Sequence, residues 1–77
     1  MRGRKSGAGI PLALVEAVLR KPDQIVPEKG TVKAHQSRCE MGGKIFLLRV
    51  LVDDSMNLAV VVTVYRTTKI EKYWVTP

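Results

Sequence analysis

The sequence predicts an α+β domain, with a short N-terminal helix packed on one face of a four-stranded antiparallel sheet. Three observations lead there. Leu12, Val15, Val18 and Leu19 recur at helical spacing between Pro11 and Pro22. Two long apolar runs, Lys44 to Val52 (KIFLLRVLV) and Leu58 to Tyr65 (LAVVVTVY), have strand composition. Adjacent glycines at Gly42-Gly43 join the first of these runs to an alternating segment before it, as a tight hairpin does.

Residues Met1 to Gly9 carry three basic residues and three glycines with almost nothing to bury, and read as a disordered basic arm. The rest, residues 10–77, reads as one domain. Its helix begins near Pro11, because proline suits a first helical turn where its missing N–H would have had no partner. Glu16 and Arg20 are expected outside, and Pro22 ends the helix by pushing Lys21 away from helical geometry. About three turns are unstable alone, so the helix must pack on the sheet.

Ile25 and Val26 suit a short strand stopped by Pro27, with a turn over Glu28, Lys29 and Gly30. From Thr31 to Cys39 the chain alternates. Val32 and Ala34 share one face; Lys33, His35 and Ser37 share the other. In the two core strands, one face gathers Phe46, Leu48, Val50 and Val52 with Leu58, Val60, Val62 and Val64, and should lie under the helix. The opposite face is mixed: Ile45, Leu47, Arg49 and Leu51 on one strand, Ala59, Val61, Thr63 and Tyr65 on the next. One helix cannot cover both sides of a sheet, so the mixed face is expected to be open to a partner. Alternation suggests that Lys33, His35 and Ser37 join it. Asp53 and Asp54 suit a turn better than a catalytic carboxylate pair, and Trp74 suits closure of the core's open edge.

The totals narrow the chemistry. The chain has 77 residues, and a domain this size buries only about 60 % of the surface its unfolded chain exposes, so a partner's support is expected. One cysteine, Cys39, excludes an internal disulfide and fits a reducing compartment. With His35 as the one histidine, no closed zinc site can form. The longest apolar run, Leu58 to Val62, falls far short of the roughly 18 residues that a membrane helix requires, and no signal-peptide stretch follows the arm. A cytoplasmic protein without cofactor is the expectation. Thirteen Lys and Arg against seven Asp and Glu give +6 at neutral pH, which favours an anionic partner such as nucleic acid. Walker loop, GxGxxG and zinc spacing are all absent from the sequence, which argues against nucleotide and metal chemistry.

The stretch Val62-Thr63-Val64-Tyr65-Arg66-Thr67-Thr68-Lys69-Ile70-Glu71-Lys72-Tyr73-Trp74 resembles the C-terminal signature of the domain-of-unknown-function family 4258. There, a strand ending in Thr-Val-Tyr runs into Thr-Ser-Lys-Ile and then Lys-Tyr-Trp. Thr68 stands where that family usually shows Ser. Lys21-Pro22-Asp23-Gln24-Ile25-Val26 and Leu48-Arg49-Val50 match in the same order, so the resemblance spans roughly residues 11–75. Members look like distant relatives of the barnase, EndoU, colicin and RelE-like ribonuclease fold, whose RNA site lies on the sheet face turned from the helices. One departure stands out: many members begin with an extra helix carrying a His, and none precedes Pro11 here.

The resemblance implies a metal-independent ribonuclease or toxin-like domain, active or degenerate. Its partners would be RNA and an antitoxin-like protein. The alternative is a non-catalytic interaction module or homodimer using the same helix-free face. Cleavage without a metal needs a proton acceptor for the 2′-OH, a donor for the leaving oxygen, and cations on the phosphate. His35 is the one side chain with an ordinary pKa near neutrality, hence the acid–base candidate. Arg49 and Arg66 are the phosphate clamps and Tyr65 completes the catalytic set. Lys33, Thr63, Thr68, Lys69, Lys72 and Tyr73 are the RNA-binding candidates, with a base stacking on an aromatic ring. Each has a plainer role open to it: His35 as a solvated strand residue, Arg49 as an aliphatic cover for the sheet, Tyr65 and Trp74 as packing residues.

Overall fold

A computed structural model of the chain describes residues 10–55 and 58–76. The basic arm expected over residues 1–9 lies outside them. Helix α1 (Leu12–Arg20) is followed by strands β1 (Gln24–Lys29), β2 (Val32–Met41), β3 (Lys44–Asp53) and β4 (Val60–Thr67), and by a single turn of helix, α2 (Ile70–Tyr73). The strands form one antiparallel sheet in the order β1-β2-β3-β4. The α+β class with one helix on a four-stranded antiparallel sheet is therefore what the chain adopts. No helix among the described residues is long and apolar enough to cross a membrane.

Pro11 sits extended just before α1, and its carbonyl accepts from the Leu14 and Val15 amides in the first turn. The side of α1 that meets the sheet carries Leu14, Val15 and Val18, with Ile10 ahead of it. The expected stripe is therefore rotated: Leu12 and Leu19 are exposed. They stand beside β4, and nothing among the described residues covers them.

On β3, alternation works as expected. Leu48, Val50 and Val52 form the core with Val18, and Cys39 and Val64 pack at its margin. The Gly42-Gly43 turn takes positive φ at both residues, and Met41 pairs with Lys44 across it. That two-residue loop sets the whole β2–β3 register, placing Gln36 opposite Arg49 and His35 opposite Val50.

Two details of the strand reading need correction. Pro27 does not stop β1, which runs on to Lys29. β1 is an edge strand, where a residue without an N–H is tolerated. On β4, the uniform face Leu58, Val60, Val62, Val64 does not exist, because the register shifts between Leu51 and Val52. Leu51 pairs with Thr63 but Val52 with Val61, leaving Val62 as the extra residue of a bulge. Val61 thereby joins Val64 on the helix side, and Val60 pairs with Asp53 instead.

Candidate functional site on the helix-free face

The helix-free face is built from alternate residues of all four strands. Opposed residues of an antiparallel pair point to the same side. Arg49 therefore shares its face with Gln36 across one strand boundary and Tyr65 across the other, and Gln24 lies opposite Gln36. Glu28 is the extra residue where the β1–β2 register shifts between Pro27 and Lys29. That bulge brings its carboxylate to Arg49.

Arg49 is the hub. Its side chain is 2 % accessible, and each of its three nitrogens donates to a different residue. Nε donates to Gln36 Oε1 at 2.9 Å, Nη2 to Glu28 Oε1 at 2.8 Å, and Nη1 to the Tyr65 hydroxyl oxygen. The Tyr73 ring covers the guanidinium, its centroid 4.2 Å from Cζ, and meets Tyr65 edge to face at 6.4 Å. Gln36, fully buried, passes the network on: its Nε2 donates to Gln24 Oε1 at 2.9 Å and to the Tyr73 carbonyl at 3.1 Å. Gln24 in turn accepts from the Val75 amide at 3.1 Å and donates to the Val75 carbonyl. These bonds tie the C-terminal segment across the sheet.

The electrostatics follow from this enclosure. Burial alone would disfavour the Arg49 charge. The hydrogen bonds and charges of Tyr65 and Glu28 outweigh it and hold the Arg49 pKa above its ordinary value. Burial pushes the Tyr65 phenol up; Arg49 opposes that rise and Tyr73 adds to it. Arg49 is thus a permanent cation, and Tyr65 keeps its proton at neutral pH. The Glu28 side chain is 34 % accessible, the most open ionic group of the cluster.

The mixed face is therefore not left bare. Leu47, Gln36 and Arg49 are sealed, and α2 with the residues after it provides the cover in the chain itself. Trp74 lies in that cover and not at an edge of the core: the Arg38 guanidinium stands 4.2 Å from its ring centroid, and Ile45 and Ile70 line the same hollow. Lys72 lies 5.3 Å from the Tyr73 ring centroid. Lys69 precedes α2, its amide bonded to Thr67 Oγ1, and Thr68 is exposed beside it.

The residues expected to act together are divided between the two faces. Arg49, Tyr65 and Tyr73 meet, and Thr63 lies on the same face opposite Leu51. His35, Lys33 and Ser37 do not join them, because their partners Val50, Val52 and Leu48 all belong to the helix side. His35 Nδ1 is buried there without a hydrogen-bond partner among the described residues. Lys33 pairs with Asp54 at 3.5 Å, and Ser37 Oγ accepts from the Asp23 amide. Arg66, opposite Leu48, also faces the helix side, over the Phe46 ring at 4.8 Å. Burial pushes the Cys39 thiol up.

Asp53 is the last residue of β3, and Asp54 follows it. Asp53 Oδ1 accepts from the Ser55 amide and from Thr31 Oγ1, both at 3.0 Å. Gln36, Gln24 and Glu28 are the members that sequence reasoning missed. The Gly42-Gly43 turn held the signal for Gln36, since a two-residue loop places residue 36 opposite residue 49. Nothing local pointed to Glu28. Among the described residues no trio of His, Cys, Asp or Glu is placed to hold a metal ion. Comparison of the chain with protein-family models, with curated proteins and with solved structures finds no match.

Proposed function

We propose that this chain is a cytoplasmic, RNA-directed domain of the ribonuclease type that works through its helix-free face. The observation carrying this reading is the joined Glu28–Arg49–Tyr65 cluster beneath Tyr73, with Lys72 against the Tyr73 ring and Arg38 against Trp74 in the same cover. Cations interleaved with aromatic rings on a sheet suit single-stranded RNA, whose phosphates seek charge and whose bases stack. In cleavage without a metal, Glu28 takes the proton of the 2′-OH as that oxygen attacks phosphorus. Tyr65, which keeps its proton, protonates the departing 5′-oxygen, and Arg49 neutralises the phosphate between them. Tyr73 must swing off the guanidinium for the phosphate to reach it. The resemblance to the ribonuclease-fold family points to the same face.

The test is incubation of labelled RNA with purified protein in EDTA, beside Glu28→Gln and His35→Gln variants, with RNA binding followed in parallel. Cleavage slowed at least about 100-fold by Glu28→Gln and unchanged by His35→Gln is the expected result. Intact RNA with folded wild type, together with binding that Lys69→Ala/Lys72→Ala weakens, leaves a degenerate RNA-binding member. No binding at low salt overturns the RNA reading altogether.

One observation favours a second reading, a non-catalytic protein-interaction module. Arg49 is sealed, and every one of its nitrogens already serves the protein. On that reading the cluster only fixes the tail to the sheet, and an Arg49→Met variant would leave the protein folded with its partner binding intact.

A further inference from the structure

The two edges of the sheet are guarded very differently. β1 carries Pro27, which offers no N–H, and the charged Lys29, and both discourage pairing with another strand. β4 has no proline and no charge before Arg66, and its one irregularity, the bulge at Val62, brings no charge to the edge. Leu58 is 79 % and Val62 55 % exposed, with Val60 and Val61 open beside them. Next to this edge, between α1 and β4, runs an apolar groove of about 630 Å³ whose walls include Leu12, Val15, Leu19, Val61 and Val64. Among the described residues, Glu16 is the one charged residue lining it.

We infer that this edge and groove are the docking surface for a second copy of the chain, joined by antiparallel β4–β4 pairing into a continuous eight-stranded sheet. The surface is distinct from the helix-free face, and the inference is independent of any action on RNA. Two arguments select a second copy. The first is charge. A chain of net +6 repels itself, so a self-contact must lie where cations are absent. The stretch from Leu58 to Tyr65 has none among its described residues. Antiparallel pairing centred in it sends the two Arg66 side chains to opposite ends, whereas parallel pairing would set them side by side. The second is area. Leu12, Leu19, Leu58, Val60, Val61 and Val62 together expose on the order of 500 Å² per copy, so a two-fold pair covers on the order of 1,000 Å², the size at which specific interfaces begin. An interface at that lower limit is of the weak, reversible class, and its dissociation constant depends on packing quality as well as area.

Sedimentation equilibrium of the full chain from about 1 to about 200 µM measures that constant. The expected mass rises from 8.6 kDa to twice that value. Val62→Lys, at an exposed position, should hold the protein at monomer mass with an unchanged circular dichroism spectrum, while Val62→Thr should still pair. Amide exchange of the wild type provides a check that needs no variant: exchange over Val60 to Tyr65 should slow as concentration rises, with β1 unaffected. A wild-type monomer at the highest concentration would overturn the inference. So would undiminished pairing of a folded Val62→Lys variant, or protection that appears on β1 instead.

Discussion

On the helix side of the sheet, Val18, Leu48, Val50 and Val52 pack side chain against side chain, whereas on the other side Arg49 and Gln36 are among the most deeply buried groups. Both faces exclude water, by different physics. The first relies on apolar area, which is non-directional and changes by increments as atoms are removed. The second relies on a chain of directional bonds from Glu28 through Arg49 and Gln36 to Gln24, each of which satisfies a group that would otherwise be buried unpaired. An apolar face degrades gradually. A polar face holds when every partner is present and fails sharply when one is removed.

The sharpest way to break this comparison is to remove the hub. Arg49→Ala strips Gln36, Glu28 and Tyr65 of their shared donor and leaves a void under Tyr73. A loss of about 4 kcal/mol is expected by denaturant melting. Arg49→Met fills the void but leaves Gln36, Glu28 and Tyr65 without their donor, so it should recover only the packing share of that loss, less than half of it. Equal losses for the two variants would show that the bonds, and not the packing, dominate this face. Leu48→Ala probes the helix side, with an expected loss of about 3 kcal/mol and a smaller effect on the tail's amide protection than Arg49→Ala produces.

The smallest effect belongs to the end of β3. Bonds from the Ser55 amide and side chain, and then from Thr31, hold the Asp53 carboxyl below its ordinary value. A carboxyl whose pKa is depressed on folding contributes stability above its unfolded value of about 3.9, and that contribution fades as pH falls through the lower folded value. The difference in melting temperature between wild type and Asp53→Asn should therefore shrink on acidification below about pH 4. A difference that stays constant there would remove the linkage.

His35 shows how far pattern reading carries and where it stops. Alternation placed it with Lys33 and Ser37, and the structure keeps those three together. The error lay in joining that set to Arg49, on the reasoning that polar belongs with polar. The hairpin contradicts this: with Gly42-Gly43 as the two-residue loop, His35 falls opposite Val50 on the helix side, its Nδ1 unpaired among the described residues. The four residues of α2 carried no periodic signal, because a single turn cannot stand alone and owes its place to the sheet beneath it.

The sequence by itself determined the elements that local chemistry dictates. These are a helix bounded by Pro11 and Pro22, a hairpin at Gly42-Gly43, and a β3 strand whose even-numbered residues from Leu48 to Val52 build a core. Only the tertiary structure decided which polar groups meet. Glu28 and Val62 are extra residues inserted against a partner strand, and whether a strand bulges depends on what it pairs with, not on its own alternation. The cover over Arg49 comes from Tyr73, joined to the sheet through Gln36 from far along the chain. Periodicity reports the side to which a residue points. It carries no information about a contact that chain closure alone can form.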